Sequence, residues 1–237
     1  MADTTEYPVV VCRRAPVPPP LTGRFADPSW AAAEVVTGFR RLRKTADLAP
    51  MATQLGTRLR CLWDDECLYV GFECDSPDVW ATKTGRDEDL WEEPVCEVFL
   101  IPCAPANASA SMKRFFEFQL NPLGTIYDAF VADADASDDW RRWSQWDCDD
   151  LRTAVRVDGK LNDRAFRDNG WSAQFAIPLA ALAAETSVRP QPGVRWRANF
   201  CRYDYSAQLA EPELSCIAPT VGVFDDIKRF AWLEFQS

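Results

Sequence analysis

The chain has 237 residues, 47% of them hydrophobic, which is enough to bury the core of one generous domain or two small ones. Its formal net charge of −10 at pH 7 opposes binding to the phosphate backbone of a nucleic acid. The sequence contains no histidine, which excludes Ser-His-Asp and Cys-His catalysis and ordinary catalytic zinc sites. Carboxylates, Lys, Tyr and Cys remain for chemistry.

The amino-terminal stretch 1–20 predicts an extended lead-in segment, with acids first, arginines later and the proline-rich run PVPPP. Its apolar run at 8–12 is too short for a secretory signal, and no run in the sequence approaches the ~18–20 apolar residues that span a bilayer. We therefore expect no membrane partner and a cytoplasmic location, or an extracellular one if the chain was trimmed from a longer precursor.

Strand patterns dominate the rest of the chain, and the best helix pattern is 178–185, with Pro178 at its first position. Short runs separated by turn residues are typical of an all-β sandwich or barrel. The expected strands are 57–63, 67–74, 95–101, 114–121, 125–131, 151–157, 170–177, 194–204 and 229–235. No repeat or Gly/Ser linker divides the sequence. We expect one domain over 1–237, an all-β, single antiparallel β-sandwich of jelly-roll type with few short helices.

The nine cysteines include no C-x-x-C pair, and several alternate with apolar residues. A free cysteine packs as a small hydrophobic residue. We therefore predict reduced, buried thiols rather than a disulfide or metal framework. The cysteines are Cys12, Cys61, Cys67, Cys74, Cys96, Cys103, Cys148, Cys201 and Cys216.

Alternation within two expected strands assigns side chains to faces of the sheet. In RFFEFQLN, the alternate Phe and Leu side chains point to the core, and Glu117, Gln119 and Asn121 share the other face. In VCEVFLI, Glu97 lies on a face that is otherwise apolar. A solvated glutamate is less natural there, so Glu97 is a candidate site residue. A solvated sheet face remains the alternative for these polar residues.

Seven stretches, taken in order, resemble the family 9 carbohydrate-binding modules, which are sugar-binding β-sandwiches. The hairpin over 57–79 is similar to the family's hallmark, in which Trp-Asp is followed by Leu-Tyr. Each motif is weak by itself, whereas the ordered set is specific and covers most of the chain. The stretches are LTGRFADPSWAAAE (21–34), TRLRCLWDDECLYVGFECDSPDV (57–79), LWEEPVCEVFLIP (90–102), FFEFQLNPLGTIYD (115–128), GWSAQFAIPLAAL (170–182), PGVRWRANFCRYD (192–204) and FDDIKRFAWLEF (224–235).

The resemblance implies non-catalytic binding of a mono- or oligosaccharide. In the family, a tryptophan placed like Trp91 stacks on a sugar ring, and a glutamate placed like Glu97 accepts hydrogen bonds from sugar hydroxyls. Asn121 would join the same polar cluster, and Phe224 would form the second aromatic wall in place of the commoner tryptophan. Gln119 stands where the best-known binders carry an arginine. These replacements suggest a different ligand, or weak or absent binding.

General chemistry supports such a site, because pyranose C–H faces pack on aromatic rings while carboxylates and amides bind hydroxyl groups. Two other functions stay open. The sandwich could retain a degenerate sugar site and serve a structural or protein-interaction role. It could also be a glycosidase, since that chemistry needs only two carboxylates, for which Glu97 and Glu117 are the candidate pair.

Two further features leave alternatives open. Family members often bind structural calcium, and Asp64, Asp65, Asp75 and Asp78 offer the hard oxygen ligands that calcium takes, without the spacing of an EF-hand. Calcium is therefore an open expectation, and no cofactor is certain.

The segment 132–150 carries three tryptophans spaced by three, which indicate a lid packed on the sandwich or a second stacking platform. They are Trp140, Trp143 and Trp146.

Overall fold

The computed structural model describes residues 7–103, 113–135, 140–218 and 220–237, without the side chain of Trp140. Strands make up most of its regular structure. They are β1 (Val9–Arg14), β2 (Arg40–Arg41), β3 (Met51–Ala52), β4 (Thr57–Trp63), β5 (Cys67–Asp75), β6 (Val95–Ile101), β7 (Phe115–Leu120), β8 (Ile126–Val131), β9 (Arg152–Asp158), β10 (Gly170–Pro178), β11 (Arg195–Asp204), β12 (Glu213–Cys216) and β13 (Ala231–Gln236). The α-helices in these ranges are α1 (Trp140–Trp143) and α2 (Leu179–Thr186), and 3-10 helices span Pro28–Ala32, Leu90–Glu92 and Ile227–Arg229.

The strands form a β-sandwich in which β11 connects the two layers. Hydrogen-bonded neighbours follow the order β3-β2-β12-β11-β13-β1-β4-β5-β10-β9, and β6, β7 and β8 continue from β11. The first residues of β11 pair with β13, and its later residues pair with β6 and β12. This long strand places the two groups of strands face to face. The predicted all-β sandwich with few short helices is confirmed.

One strand departs from the predicted antiparallel arrangement. β1 runs parallel to both of its neighbours, β13 and β4, so the sheet is mixed. Parallel neighbours need a long connection rather than a tight turn, and more than forty residues separate β1 from β4. β1 lies inside the stretch 1–20 that the sequence predicts as an extended lead-in segment. The side chains of Val10 and Cys12 on its inner face are buried. Residues 1–6 lie outside the described part of the chain.

Alternate residues of the strands build the core as predicted. The inner side chains of β6 and β7 belong to one buried cluster. Phe72 of β5 packs in the core, with its ring centroid 6.2 Å from that of Phe175 on the neighbouring β10 and 6.5 Å from that of Phe200 on β11. The nine cysteines are free and buried, which confirms their prediction as packed thiols. The inner side chains of β6 and β7 are Cys96, Val98, Leu100, Phe116, Phe118 and Leu120.

The tryptophan-rich segment packs onto the sandwich. The ring centroid of Trp146 lies 5.2 Å from that of Phe116 and 6.2 Å from that of Phe118, at the edge of the core. Trp143 at the end of α1 packs against two smaller hydrophobic clusters. The lid interpretation therefore describes Trp146, while the side chain of Trp140 lies outside the described residues. None of the helices in the described ranges is long and apolar enough to cross a membrane.

Candidate functional site

Four neighbouring strands present polar and aromatic side chains on one face. Glu97 of β6 lies opposite Gln119 of β7, and Gln119 lies opposite Tyr127 of β8. On the other side of β6, Glu97 pairs with Cys201 of β11, two residues before Tyr203. Directly paired residues of neighbouring strands point to the same face. These side chains therefore form a continuous floor outside the main core.

A cavity of about 280 Å³ opens over this floor. Four of the five predicted site residues line it: Trp91, Glu97, Gln119 and Phe224. Its volume lies just below the range of about 300–1,000 Å³ that is usual for ligand cavities, which favours a small ligand with one or two rings. The lining also includes Tyr127, Tyr203 and Asp225, which sequence reasoning missed, and Glu117, which the sequence offered only as a glycosidase carboxylate.

Trp91 is held at the cavity by the 3-10 helix Leu90–Glu92 and by a tyrosine from β11's end. The hydroxyl of Tyr205 donates a hydrogen bond of 2.6 Å to the carbonyl oxygen of Trp91. The half-buried Trp91 ring meets Tyr127 edge to face, with centroids 5.7 Å apart and an interplanar angle of 88°. The hydrogen bond holds the backbone of Trp91, the contact with Tyr127 orients the ring, and the residue stays partly exposed. Trp91 can therefore offer apolar surface to a ligand.

The second aromatic part of the lining consists of Tyr203 and Phe224, whose rings meet edge to face with centroids 4.9 Å apart. Phe224 is only 3% exposed, so little of its ring is available for stacking. Tyr203 is half-buried and offers more surface. The alternation of β11 places Tyr203 on the same face as Cys201, and this was the sequence signal that could have identified it.

The floor contains two buried acceptors that lack partners. Glu97 is 2% exposed and Gln119 is 1% exposed. Glu97 Oε2 and Gln119 Oε1 accept no hydrogen bond from any residue in the described part of the chain. The amide nitrogen of Gln119 donates to Glu117 Oε1 at 2.6 Å. A buried polar group left unpaired costs about 1–3 kcal/mol, so both oxygens favour a ligand that supplies donors.

Burial and crowding shift the carboxyl groups of the floor towards their protonated forms. Burial raises the pKa of Glu97 well above its ordinary value, and the nearby carboxyl groups of Glu117 and Asp225 raise it further. Burial raises the pKa of Glu117 to about 7, an effect that the hydrogen bond from Gln119 partly opposes. Asp225 lies at the exposed rim. The cavity thus holds one carboxyl group, Glu117, with a pKa of about 7, and a second, Glu97, whose pKa is also raised.

Asn121, the fifth predicted residue, does not line this cavity. β7 ends at Leu120, and the Asn121 side chain serves the turn that follows. Its oxygen accepts from the backbone nitrogens of Leu123 and Thr125, and its nitrogen donates to Glu93 Oε1 at 2.7 Å and to the carbonyl oxygen of Lys83. Gly124, with φ of +86°, completes the turn in a conformation that favours glycine. These contacts give Asn121 a structural function.

A larger cavity of about 600 Å³ adjoins the first one and shares Glu117, Tyr127 and Asp225 with it. Trp143 of α1 lines this second cavity, so the tryptophan-rich segment contributes one ring to the neighbourhood of the site. Two of its acids have basic partners, since Asp135 pairs with Lys113 at 2.5 Å and Asp226 pairs with Arg229 at 3.1 Å.

The aspartates considered for calcium do not come together. Asp65, Asp75 and Asp78 each pair with an arginine, and Asp64 accepts hydrogen bonds from its own turn and from Tyr69. The structure instead brings together the carboxylates of Asp87, Asp128 and Asp147, whose oxygens lie within 4.8 Å of one another.

This aspartate triad could hold a metal ion, because three hard oxygen donors converge. Arg86 already occupies two of its members, donating to both oxygens of Asp128 at 2.6 and 2.8 Å and to Asp147 Oδ1 at 2.7 Å. The buried Asp128 also accepts from the backbone nitrogen of Cys148. A calcium ion would fit this donor set only if Arg86 moved away. In the structure, the guanidinium of Arg86 supplies the positive charge that a metal ion would otherwise bring to the triad.

The comparisons with known proteins rest on structure. No protein-family model matches the chain, and no curated protein matches it significantly. The structure is similar to a protein from Bacteroides uniformis for which a carbohydrate-binding role has been inferred, with a TM-score of 0.68 at 14% identity, over 98% of this chain and 100% of that one.

It is also similar to a family 9 carbohydrate-binding module from Caldicellulosiruptor kristjanssonii. The module in complex with cellotriose gives a TM-score of 0.60 at 16% identity, over 97% of this chain and 94% of that one. The module in complex with glucose gives a TM-score of 0.61 at 14% identity, over 97% and 96% of the two chains. The protein therefore has the β-sandwich fold of the family 9 carbohydrate-binding modules.

Proposed function

We propose that the protein binds a mono- or oligosaccharide without cleaving it, in the cavity that Trp91, Glu97 and Gln119 line. The observation that carries this proposal is the pair of buried, unpaired oxygens, Glu97 Oε2 and Gln119 Oε1, beneath an aromatic lining. Sugar hydroxyls are donors that satisfy such oxygens, and an apolar sugar face packs on an aromatic ring. The module of the same fold in complex with glucose supports the choice of ligand.

The arrangement of the carboxyl groups favours binding over hydrolysis. A glycosidase needs two carboxyl groups that flank the scissile bond from different sides. Glu97 pairs with Gln119 and Glu117 pairs with Phe99, so the two glutamates lie on adjacent strands, two residues out of register, and both project from the same sheet face. They would meet a bound sugar from one side. A broad panel of chromogenic glycosides should therefore show no hydrolysis, and turnover that is lost in Glu97→Gln would contradict the proposal.

The direct experiment is isothermal titration of the full chain with glucose, cellobiose and xylobiose, beside Trp91→Ala. We expect dissociation constants in the ~μM–mM range and at least about tenfold weaker binding in the variant, because the stacking surface is lost. Trp232→Ala is the matched control, since Trp232 lies on β13 and packs under Arg197 away from the cavity lining.

Two results would count against this function. Unchanged affinity in Trp91→Ala would exclude stacking at this cavity. The absence of heat with every sugar, from a protein that melts cooperatively, would favour the alternative of a degenerate site with a structural or protein-interaction role.

A further inference from the structure

The cavity is lined by three carboxyl groups that have no basic partner among the described residues. Glu97, Glu117 and Asp225 line it, and no Lys or Arg does so among the described residues. None of these three carboxyl groups forms an ion pair with a residue in the described ranges. The contrast with the adjoining cavity is direct, because Asp135 and Asp226 there have Lys113 and Arg229 as partners.

The unpaired atoms at this cavity share one chemistry. Glu97 Oε2 and Gln119 Oε1 are both acceptors, and Gln119 has its amide nitrogen turned to Glu117. A ligand group that fits them must donate. An ammonium group has three donors and no acceptor, and its positive charge favours the ionised forms of Glu97 and Glu117, whose pKa values burial raises.

The aromatic lining favours the same kind of ligand. A cation near the face of Trp or Tyr gains from the ring quadrupole, in addition to the contact area of an apolar body. Trp91, Tyr127 and Tyr203 all line the cavity. A neutral sugar would use the contact area only, whereas a ring bearing a positive charge would use both interactions.

We propose that the cavity selects a protonated amino sugar, with the ammonium group directed to Glu97, Gln119 and Glu117 and the ring packed on Trp91. This inference rests on the sugar-binding function proposed above and specifies its ligand class. The position of Gln119 is decisive. An arginine there would neutralise the carboxyl groups and occupy the space of the ammonium group, whereas the neutral glutamine leaves both the charge and an acceptor to the ligand.

The test is a titration of the full chain with glucosamine, glucose and N-acetylglucosamine near neutral pH at low salt. The three share one ring, and only the first is charged. We expect glucosamine to bind at least about tenfold more tightly than either neutral sugar, because its ammonium group adds one charge-assisted hydrogen bond. Raising NaCl from about 20 to 300 mM should reduce this preference, because Asp225 lies at the exposed rim.

Two variants locate the effect. Glu117→Gln keeps the shape of the side chain and removes its charge, so the preference for glucosamine over glucose should fall severalfold. Asp65→Asn removes an equal charge from the exposed turn between β4 and β5, where the side chain is 81% exposed, and should leave the preference unchanged. Thermal melting of each variant confirms that it is folded.

The outcomes separate the two proposals. Equal affinity for glucose and glucosamine, both lost in Trp91→Ala, would overturn the amino-sugar inference and leave sugar binding intact. A preference for glucosamine that Asp65→Asn reduces as much as Glu117→Gln would also overturn it, since general charge attraction would then explain the effect. Binding of none of the three sugars would overturn both proposals.

Discussion

Glu97 and Gln119 lie directly opposite each other on β6 and β7, and each buries one side-chain oxygen that has no hydrogen bond in the described part of the chain. Native proteins pair nearly all such groups, so two adjacent exceptions at one cavity mark a surface that is incomplete by itself. Of the two, Gln119 alone departs from the pattern that the sequence resemblance implies, which has an arginine at this position. Several expectations follow from this relationship and from the buried charges around it.

Replacing Gln119 with arginine should change the ligand preference. In Gln119→Arg, the guanidinium would pair with Glu117 and Glu97, neutralise the cavity and supply donors in place of an acceptor. We expect the affinity for glucosamine to fall by at least about tenfold and the affinity for glucose to stay equal or rise. Titration with both sugars checks this. Gln119→Lys carries the same charge without the planar guanidinium group, so it separates the effect of charge from that of the guanidinium geometry. Improved binding of glucosamine in Gln119→Arg would contradict the assignment of the ammonium site.

The stability of the protein should decrease as pH rises through the titration of Glu117. The pKa of this group is raised from 4.5 to about 7 in the folded state, so between these values the folded protein holds a proton that the unfolded chain has lost. Its stabilising contribution is complete below about pH 4.5 and is lost by about pH 7. Glu97, with a pKa also raised by burial, acts in the same direction over a range that begins at the same pH.

Thermal melting of the wild type and Glu117→Gln between pH 4.5 and 8 measures this contribution. The neutral variant should lose fewer degrees over the interval, because its amide stays uncharged. Subtracting the melting temperature of the variant from that of the wild type at each pH removes the effect of the other titrating groups. Parallel curves would show that the folded protein does not perturb Glu117.

Arg202 should be the most sensitive charged residue for folding. It is 2% exposed and donates to the carbonyl oxygens of Gly56 and Asp75, to the hydroxyl of Thr57 and to Asp204 Oδ2. Arg202→Met would leave the buried Asp204 carboxylate unpaired, which costs about 3–5 kcal/mol of unfolding free energy. Urea denaturation measures this value.

The exposed pair Arg13–Glu34 provides the control for Arg202. Both side chains are nearly half exposed, so Arg13→Met should cost less than about 1 kcal/mol. In the double variant Arg202→Met with Asp204→Asn, the loss should be smaller than the sum of the single losses, because no charge is left buried. Additive losses would show that the two residues stabilise the fold independently.

Calcium should have little effect while Arg86 is in place. Its guanidinium contacts Asp128 and Asp147, so an added cation would compete with it for the same oxygens. In Arg86→Met the aspartate triad loses its positive charge. We expect a lower melting temperature in EDTA and a partial recovery in millimolar calcium, which the wild type should not show. A large calcium-dependent rise in the wild type would mean that the ion displaces Arg86 or binds elsewhere.

The local pattern of the sequence was sufficient for much of the fold. Most expected strands lie within two residues of the observed ones, because alternation and turn residues act between near neighbours in the chain. The same alternation placed Glu97, Glu117 and Gln119 on the faces that the structure shows. It did not reveal β1 as an inner strand, since the pairing of β1 with β13 joins residues more than 200 positions apart.

The composition of the site depended on contacts that no local pattern contains. Tyr203 comes to the cavity because β11 pairs with β6, and Asp225 arrives from a loop near the end of the chain. Asn121 leaves the polar row because β7 ends one residue earlier and the turn takes its side chain. By itself the sequence determined the strands and their faces, since these follow from side-chain period, and its resemblance to the family 9 modules indicated Trp91, Glu97 and Gln119 as candidate site residues. Only the tertiary structure decided which carboxyl groups share one cavity that no Lys or Arg of the described ranges lines, because charge balance is a property of groups brought together from distant strands.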